Sequence, residues 1–256
     1  MQLFRSILSR RMLALILCAV LISVNAFTSV KVFAKVCTNQ PAFRCTANKQ
    51  AEADQAHNND LAITAKAAVL IDNASGRILY AKNKDKKLIP ASITKIMTLL
   101  LIFESIEQGK CKLEDKVTVS EYAASMGGSQ VFLEPGETQD VNTMIKCISI
   151  ASANDAAVAM AEHLAGSEQS FVKRMNKKAK ALGMKHTHFK NCNGLDDSIE
   201  SGHYSSAYDV ALMSQSLVSK YPDISKYSTV WMDAITHITK KGKKKFGLTN
   251  TNKLIR

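Results

Sequence analysis

Between Pro90 and Gly109 no residue interrupts a helix, and in IPASITKIMTLLLIF (Ile89 to Phe103) only Ser92, Thr94, Lys95 and Thr98 are polar. The stretch predicts a helix from about Ala91 to Gln108. A helix apolar on nearly every side must be enclosed by other elements, so this segment requires a globular body around it. At 100° per residue, Ser92 and Lys95 fall about 60° apart, in the sector of Leu99, Ile102, Phe103 and Ile106. A lysine on that stripe costs several kcal/mol unless it is paired or gives up its proton. One explanation is a lysine snorkelling out of a core helix beside an N-terminal serine. The other is chemical: desolvation lowers a lysine pKa, and a neutral lysine beside a hydroxyl is a general base beside a nucleophile.

The chain contains its own control. Ser170-Phe-Val-Lys173 repeats the Ser-x-x-Lys spacing. There Phe171, Val172, Met175, Ala179 and Leu182 form the apolar stripe, and Ser170 and Lys173 point roughly 150° from its centre. That face belongs to solvent, so placement separates the two matches where spacing does not.

The rest of the chain bounds the setting. Its 256 residues allow one large domain or two small ones. Arg5, Arg10 and Arg11 precede the apolar run Met12 to Val24. That layout is expected of a secretory signal peptide, with cleavage after Ala34 preferred to Ala26, and the run is short for a membrane span. Leu17 before Cys18 speaks against a lipoprotein anchor. Beyond the signal remain Cys37, Cys45, Cys111, Cys147 and Cys192, an odd and scattered set that argues against a disulfide framework and leaves a Cys37–Cys45 pairing open. Residues 1–34 hold four of the 34 basic residues and no acid, so residues 35–256 carry a formal charge of +8. An exported basic chain suits an anionic surface outside the membrane, lipid headgroups or cell-wall polymer, while solvated lysine-rich faces are the plainer explanation. Export and the lack of interleaved aromatic and basic residues count against nucleic acid.

Residues 35–60 are polar and aperiodic and are expected to form a linker. A hairpin follows, Ala67 to Asp72 and Arg77 to Ala81 around Asn73-Ala-Ser-Gly76. KVTVS predicts a short strand and Ser120 caps a short helix. Asp140 caps a helix through Met144 and Ile150, and a second helix runs from about Asp155 to Ala165. Ser167 opens a basic helix that ends at Gly183, and Ser206 with Asp209 forms a capping box for a helix to about Lys220. Helices outnumber strands, so the fold is expected to be α+β with its remaining strands late in the chain.

Ser152-Ala-Asn154 lies between two apolar helices. Such residues are ordinarily caps, but a buried junction makes both side chains need partners. A hydroxyl and a carboxamide facing Ser92 and Lys95 would supply a proton relay and an amide anchor. The histidines show no metal spacing beyond His186-x-His188, no Walker loop or Gly-x-Ser-x-Gly elbow is present, and no metal or cofactor is expected.

These residues resemble a known family. SITK and SAN are the first two motifs of penicillin-recognising serine acyltransferases. GGSQVFLEPGE, ASANDAAVAMAEHLAG, NCNGLD, HYSSAYDVALM and LTNTNKL are similar to segments of the low-molecular-mass D-alanyl-D-alanine carboxypeptidases, peptidase family S11. The resemblance runs from about Ala65 to Leu254. It implies a β-lactamase/transpeptidase-like fold, with an antiparallel sheet flanked by helices and an all-helical subregion carrying the SxN motif. It implies Ser92 as nucleophile, Lys95 as general base, Ser152 as proton relay and Asn154 as substrate-binding residue, acting on peptidoglycan stem peptides that end in D-Ala–D-Ala. β-Lactams would be acylating inhibitors, and a membrane surface a further contact. Glu168-Gln-Ser-Phe does not match the Glu-x-x-Leu-Asn segment of class A β-lactamases, so penicillin should acylate Ser92 and leave slowly.

One motif departs from the pattern. The family's Lys-Thr/Ser-Gly should follow NTNKL, where the sequence stops at Arg256; Lys240-Lys241-Gly242 precedes NTN and does not replace it. The expected organisation is a signal peptide at 1–34, a linker at 35–60 and an incomplete carboxypeptidase domain at 61–256 that lacks its C-terminal strands. Activity as given would be impaired, and a non-catalytic, exported, cell-wall-binding remnant is the alternative.

Overall fold

A computed structural model describes residues 63–195, 201–239 and 242–255. The expected signal peptide, the whole of the expected linker, Cys18, Cys37, Cys45, Lys240 and Lys241 lie outside the described residues. The chain divides into residues 1–52 and 53–256, and the description concerns the second unit.

The first hairpin pairs β1 (Ala68–Ile71) with β2 (Ile78–Lys82), Ala68 opposite Lys82. Its turn is closed by Asp72, whose Oδ1 accepts from Ser75 N at 2.8 Å. β1 packs on the later helix α6 (Ala207–Lys220), and the turn is fastened to that helix where Gln215 Nε2 donates to Asn73 O at 2.7 Å. A 3-10 turn over Ala91–Thr94 leads into α1 (Lys95–Glu107), which ends before Gly109 at φ +67°. The segment expected as one helix therefore begins as a tighter turn, and this turn places Ser92 in solvent while Lys95 enters the core.

Next come β3 (Lys116–Thr118), the short α2 (Glu121–Ala124) and β4 (Thr138–Asp140), which pairs with β3. α3 (Val141–Ala151) and α4 (Asn154–Ala165) follow, then α5 (Glu168–Ala181) and α6 (Ala207–Lys220). Asp140 Oδ1 caps α3 by accepting from Thr143 N at 2.7 Å, and Ser120 caps α2 in the same way at 2.9 Å. Ser206 accepts from Asp209 N, but Asp209 does not complete the box. Its Oδ2 accepts instead from His186 N at 2.7 Å and Thr187 Oγ1 at 2.8 Å, holding a distant loop against the helix start.

After the short α7 (Ser225–Ser228), the late strands β5 (Met232–Thr239) and β6 (Gly242–Thr249) form an antiparallel hairpin. Among the described residues the strands form three two-stranded antiparallel sheets, so the architecture is α+β. Met97, Leu100 and Ile102 of α1 pack with Val158 and Met160 of α4 and with Met144 and Ile145 of α3 in one buried cluster. The alanines 156, 157, 159 and 161 allow neighbours to approach α4 closely on several sides. No described helix is long and apolar enough to cross a membrane.

Candidate active site

Ala91 precedes Ser92 at φ +45°, a left-handed conformation that costs a non-glycine residue on the order of 1 kcal/mol. This bend turns Ser92 to the surface and leaves Lys95, 3% exposed, at the head of α1. Lys95 Nζ donates to Ser92 Oγ at 3.0 Å and to Asn193 O at 2.7 Å. Burial pulls the lysine pKa down to about 8, against an opposing pull from the acidic groups of Cys192 and Asp155. Relative to an ordinary lysine the ammonium is disfavoured by roughly 3 kcal/mol. A large fraction of Lys95 is thus neutral near pH 8, within proton-transfer distance of a hydroxyl.

The segment 191–195 forms the shelf under Lys95. Cys192 O accepts from Thr98 Oγ1 at 2.5 Å, Cys192 N donates to buried Glu168 at 3.0 Å, and Asn193 Oδ1 accepts from Leu195 N at 2.8 Å. Burial holds the Cys192 thiol well above its usual range, so it is an inert neighbour rather than a second nucleophile. Lys190 N donates to His203 Nδ1 at 3.1 Å, leaving the ring proton on Nε2 for Thr94 Oγ1 at 2.9 Å. Thr94 at the end of the 3-10 turn and Thr98 in α1 are therefore both held by side-chain hydrogen bonds beside Lys95.

Gly194 sits at φ +83° against the backbone in front of Ser92. A Cβ built there would overlap the Ala91 carbonyl and come within 3.0 Å of Ser92 N. Gly194→Ala is therefore expected to displace Ser92 and slow its acylation about 100-fold, the size of effect a misplacement near 1 Å produces. A stopped-flow penicillin-binding assay, with a melting curve to establish folding, measures it.

Ser152 ends α3 in the left-handed region at φ +56°, ψ +36°, and lines the same cleft as Ser92 and Lys95. The cleft has a volume of 520 Å³, and Asn250 to Asn252 form another part of its wall. Thr251 N donates to Ile150 O at 3.2 Å, so the chain leaving β6 is fastened beside the Ser152 junction. The two hydrogen bonds of Lys95 go to Ser92 and Asn193, so Ser152 shares the cleft with Lys95 without bonding to it.

Asn154 lies deeper, 4% exposed. Its Nδ2 donates to Gly127 O at 2.8 Å and its backbone N–H to Ser129 O at 2.7 Å. Its Oδ1 is buried without a hydrogen-bond partner. An unsatisfied buried acceptor costs about 1–3 kcal/mol, which a ligand N–H would recover. The next residue, Asp155, accepts from Val131 N at 3.1 Å and Leu133 N at 3.1 Å, locking the loop that Asn154 holds from its other end. Ser170 and Lys173 are elsewhere: Ser170 Oγ accepts from Ser167 Oγ in the cap of α5, and Lys173 is exposed.

Asn193, Gly194, His203 and Asp155 carry this geometry without any expectation attached to them individually. Only the Asn-Gly pair in NCNGLD signals a special backbone conformation, and the acceptor for Lys95 is a main-chain carbonyl that no side chain announces.

Residues 50–256 match the family described as D-alanyl-D-alanine carboxypeptidase, Peptidase S11. The D-alanyl-D-alanine carboxypeptidase DacF of Bacillus subtilis (strain 168) is 55% identical over 206 residues, covering 80% of this chain and 51% of that protein. The chain thus spans about half the length of the curated relatives it matches. Among solved structures, the D-alanyl-D-alanine carboxypeptidase DacD from Francisella tularensis superposes with a TM-score of 0.65 at 32% identity, over 75% of this chain and 44% of that one. A mutant of the Streptomyces K15 DD-transpeptidase gives 0.67 at 26% identity, over 75% and 76%. With the family matched over residues 50–256 and the fold shared with its solved members, the chain belongs to the S11 family of D-alanyl-D-alanine carboxypeptidases.

Proposed function

We propose that the protein is a serine-type D-Ala–D-Ala carboxypeptidase, removing the terminal D-alanine from peptidoglycan stem pentapeptides through an acyl-enzyme on Ser92. The observation that carries this is the buried Lys95 Nζ, 3.0 Å from Ser92 Oγ with its pKa near 8. Neutral Lys95 takes the Ser92 proton as Oγ attacks the penultimate carbonyl carbon. The Ser92 backbone N–H supplies one donor to the resulting oxyanion. Ser152 passes a proton to the nitrogen of the departing D-alanine, the C–N bond breaks, and an ester to Ser92 remains. Asn154, through its unpaired Oδ1, accepts a peptide N–H of the substrate and sets its register. Water then attacks the ester, with Lys95 as base again, and frees the tetrapeptide.

β-Lactams enter the same cleft and acylate Ser92. Residues 1–34 act as an export signal, so the protein works at the extracytoplasmic face, on the cell wall and beside the membrane surface. Its basic charge favours anionic polymers there.

The test is release of free D-alanine from a peptide ending in D-Ala–D-Ala. It uses the chain joined to the C-terminal portion of its Bacillus subtilis relative, so that the expected Lys-Thr-Gly strand is present. The rate should rise with pH through about 8, because the active form of Lys95 is the deprotonated one. Two pH units below that value only about 1% of the lysine is neutral, so acylation at pH 6 should be about 100-fold below its plateau. Absence of both D-alanine release and a penicillin adduct would favour an exported wall-binding protein without turnover.

A further inference from the structure

α1 begins at Lys95 and α4 at Asn154; near their opposite ends a second group of chemically active side chains gathers. Cys111 lies in the loop after α1, Asp115 immediately before β3, and His163 in the last turn of α4. A donor atom from each, the Cys111 sulfur, an Asp115 carboxylate oxygen and a His163 ring nitrogen, lies within 4.8 Å of the others. Cys111 is buried, Asp115 half-buried and His163 exposed, so the three grade from the core to solvent. The loop that holds two of them is already ordered. Asp115 Oδ2 accepts from Lys112 N at 2.8 Å, and Asp115 N donates to Lys112 O at 3.2 Å. The start of α3 seals it from behind, with Val141 N donating to Asp115 O at 3.1 Å and Asn142 N to Leu113 O at 3.0 Å.

We propose that Cys111, Asp115 and His163 form a zinc-binding site that clamps the α1–β3 loop to the end of α4, with water as the fourth ligand. A thiolate, an imidazole and a carboxylate are the donor set of a borderline-soft dication. Tetrahedral zinc with bonds of 2.0–2.3 Å spaces its ligand atoms about 3.5 Å apart. Donor atoms within 4.8 Å of one another reach this spacing by small side-chain shifts, to which the exposed His163 contributes by rotating about its side-chain bonds. When the sulfur–zinc bond forms, the Cys111 proton leaves to solvent. Burial first, and then the Asp115 carboxylate, hold that thiol protonated in the absence of a cation. A dication between sulfur and carboxylate reverses the second effect. The Lys112 N–H orients the Asp115 carboxylate, as outer partners do for metal-bound carboxylates. Bound zinc would brace, from the opposite end, the two helices that present Lys95 and Asn154.

The whole protein, stripped with a chelator and kept reduced, is titrated with Co2+ as a spectroscopic substitute and then with Zn2+. One equivalent of Co2+ should produce a thiolate-to-cobalt charge-transfer band in the near ultraviolet with d–d bands of tetrahedral intensity, and Zn2+ should abolish both. Cys111→Ser should lose the charge-transfer band. His163→Ala, an exposed substitution that leaves folding intact should Cys111→Ser not, should weaken Zn2+ binding by more than about 100-fold, since even the groups that only hydrogen-bond to metal ligands are worth about 10- to 100-fold. Zn2+ at 100 times its Kd should raise Tm by about 5–10 °C in the unaltered protein and not in the variants. Failure to develop the band, its persistence in Cys111→Ser, or unchanged affinity in His163→Ala would overturn the proposal.

Discussion

Ser92→Ala is expected to abolish covalent labelling by a penicillin, a loss of at least about 10⁵-fold of the kind seen when a nucleophile of a concerted catalytic group is removed. The substitution deletes the one oxygen to which Lys95 donates besides the Asn193 carbonyl. It sits in an exposed 3-10 turn, so stability should change by less than about 0.5 kcal/mol and folding should not confound the result. Labelling of the variant at the parent rate would remove Ser92 from its role. Transfer of the label to Ser170 would point to the other Ser-x-x-Lys, against the placement of Ser170 in the cap of α5 and of Lys173 in solvent.

Lys95→Arg should be nearly as damaging as Lys95→Ala, lowering the acylation rate by about 10²- to 10⁴-fold, the range that a general base contributes. Arginine keeps the positive charge but does not shed its proton in a protein. Burial that takes lysine to about 8 cannot bring a guanidinium into the neutral form in any working pH range. The pair of variants therefore separates a base from a fixed charge. Retention of most of the rate by arginine would mean that Lys95 acts electrostatically on Ser92. Circular dichroism checks folding, because the larger guanidinium enters a site whose present occupant is only 3% exposed.

Much of this site could be read along the chain because its parts are local. The unbroken apolar stretch after Pro90 dictates α1, and the position of Lys95 on the stripe dictates its burial. Ser120, Asp140, Ser167 and Ser206 mark helix starts because a short oxygen side chain answers free N–H groups, and each does so in the structure. Gly166 ends α4 in the left-handed conformation that its position suggests.

What stays hidden depends on backbone atoms and distant partners. The Asn193 carbonyl is Lys95's second acceptor across 98 residues of sequence, and Gly194 matters through a contact with Ala91 rather than through a turn of its own. Asp209 satisfies the spacing of a capping box, yet two loop donors at residues 186 and 187 take its carboxylate. The lysine run at 240–245 has the composition of a solvated loop. Most of it is nonetheless strand, because Phe246 and Leu248 farther along β6 turn towards the core and pairing with β5 carries the lysines with them. The zinc ligands are missed for a related reason: Cys111, Asp115 and His163 come from segments that meet only in three dimensions.

The most direct measurement is the location of the penicillin adduct. In the chain joined to the C-terminal portion of its Bacillus subtilis relative, trypsin releases Leu88 to Lys95, LIPASITK, in which Ser92 is the only serine. Ser149, Ser152, Ser167 and Ser170 all fall in the separate peptide Cys147 to Lys173. Peptide mapping by mass spectrometry should find one penicilloyl group per chain, on Leu88 to Lys95 and at Ser92 on fragmentation. An adduct on Cys147 to Lys173, or no adduct on a folded protein, would contradict Ser92 as the nucleophile and Lys95 as its base.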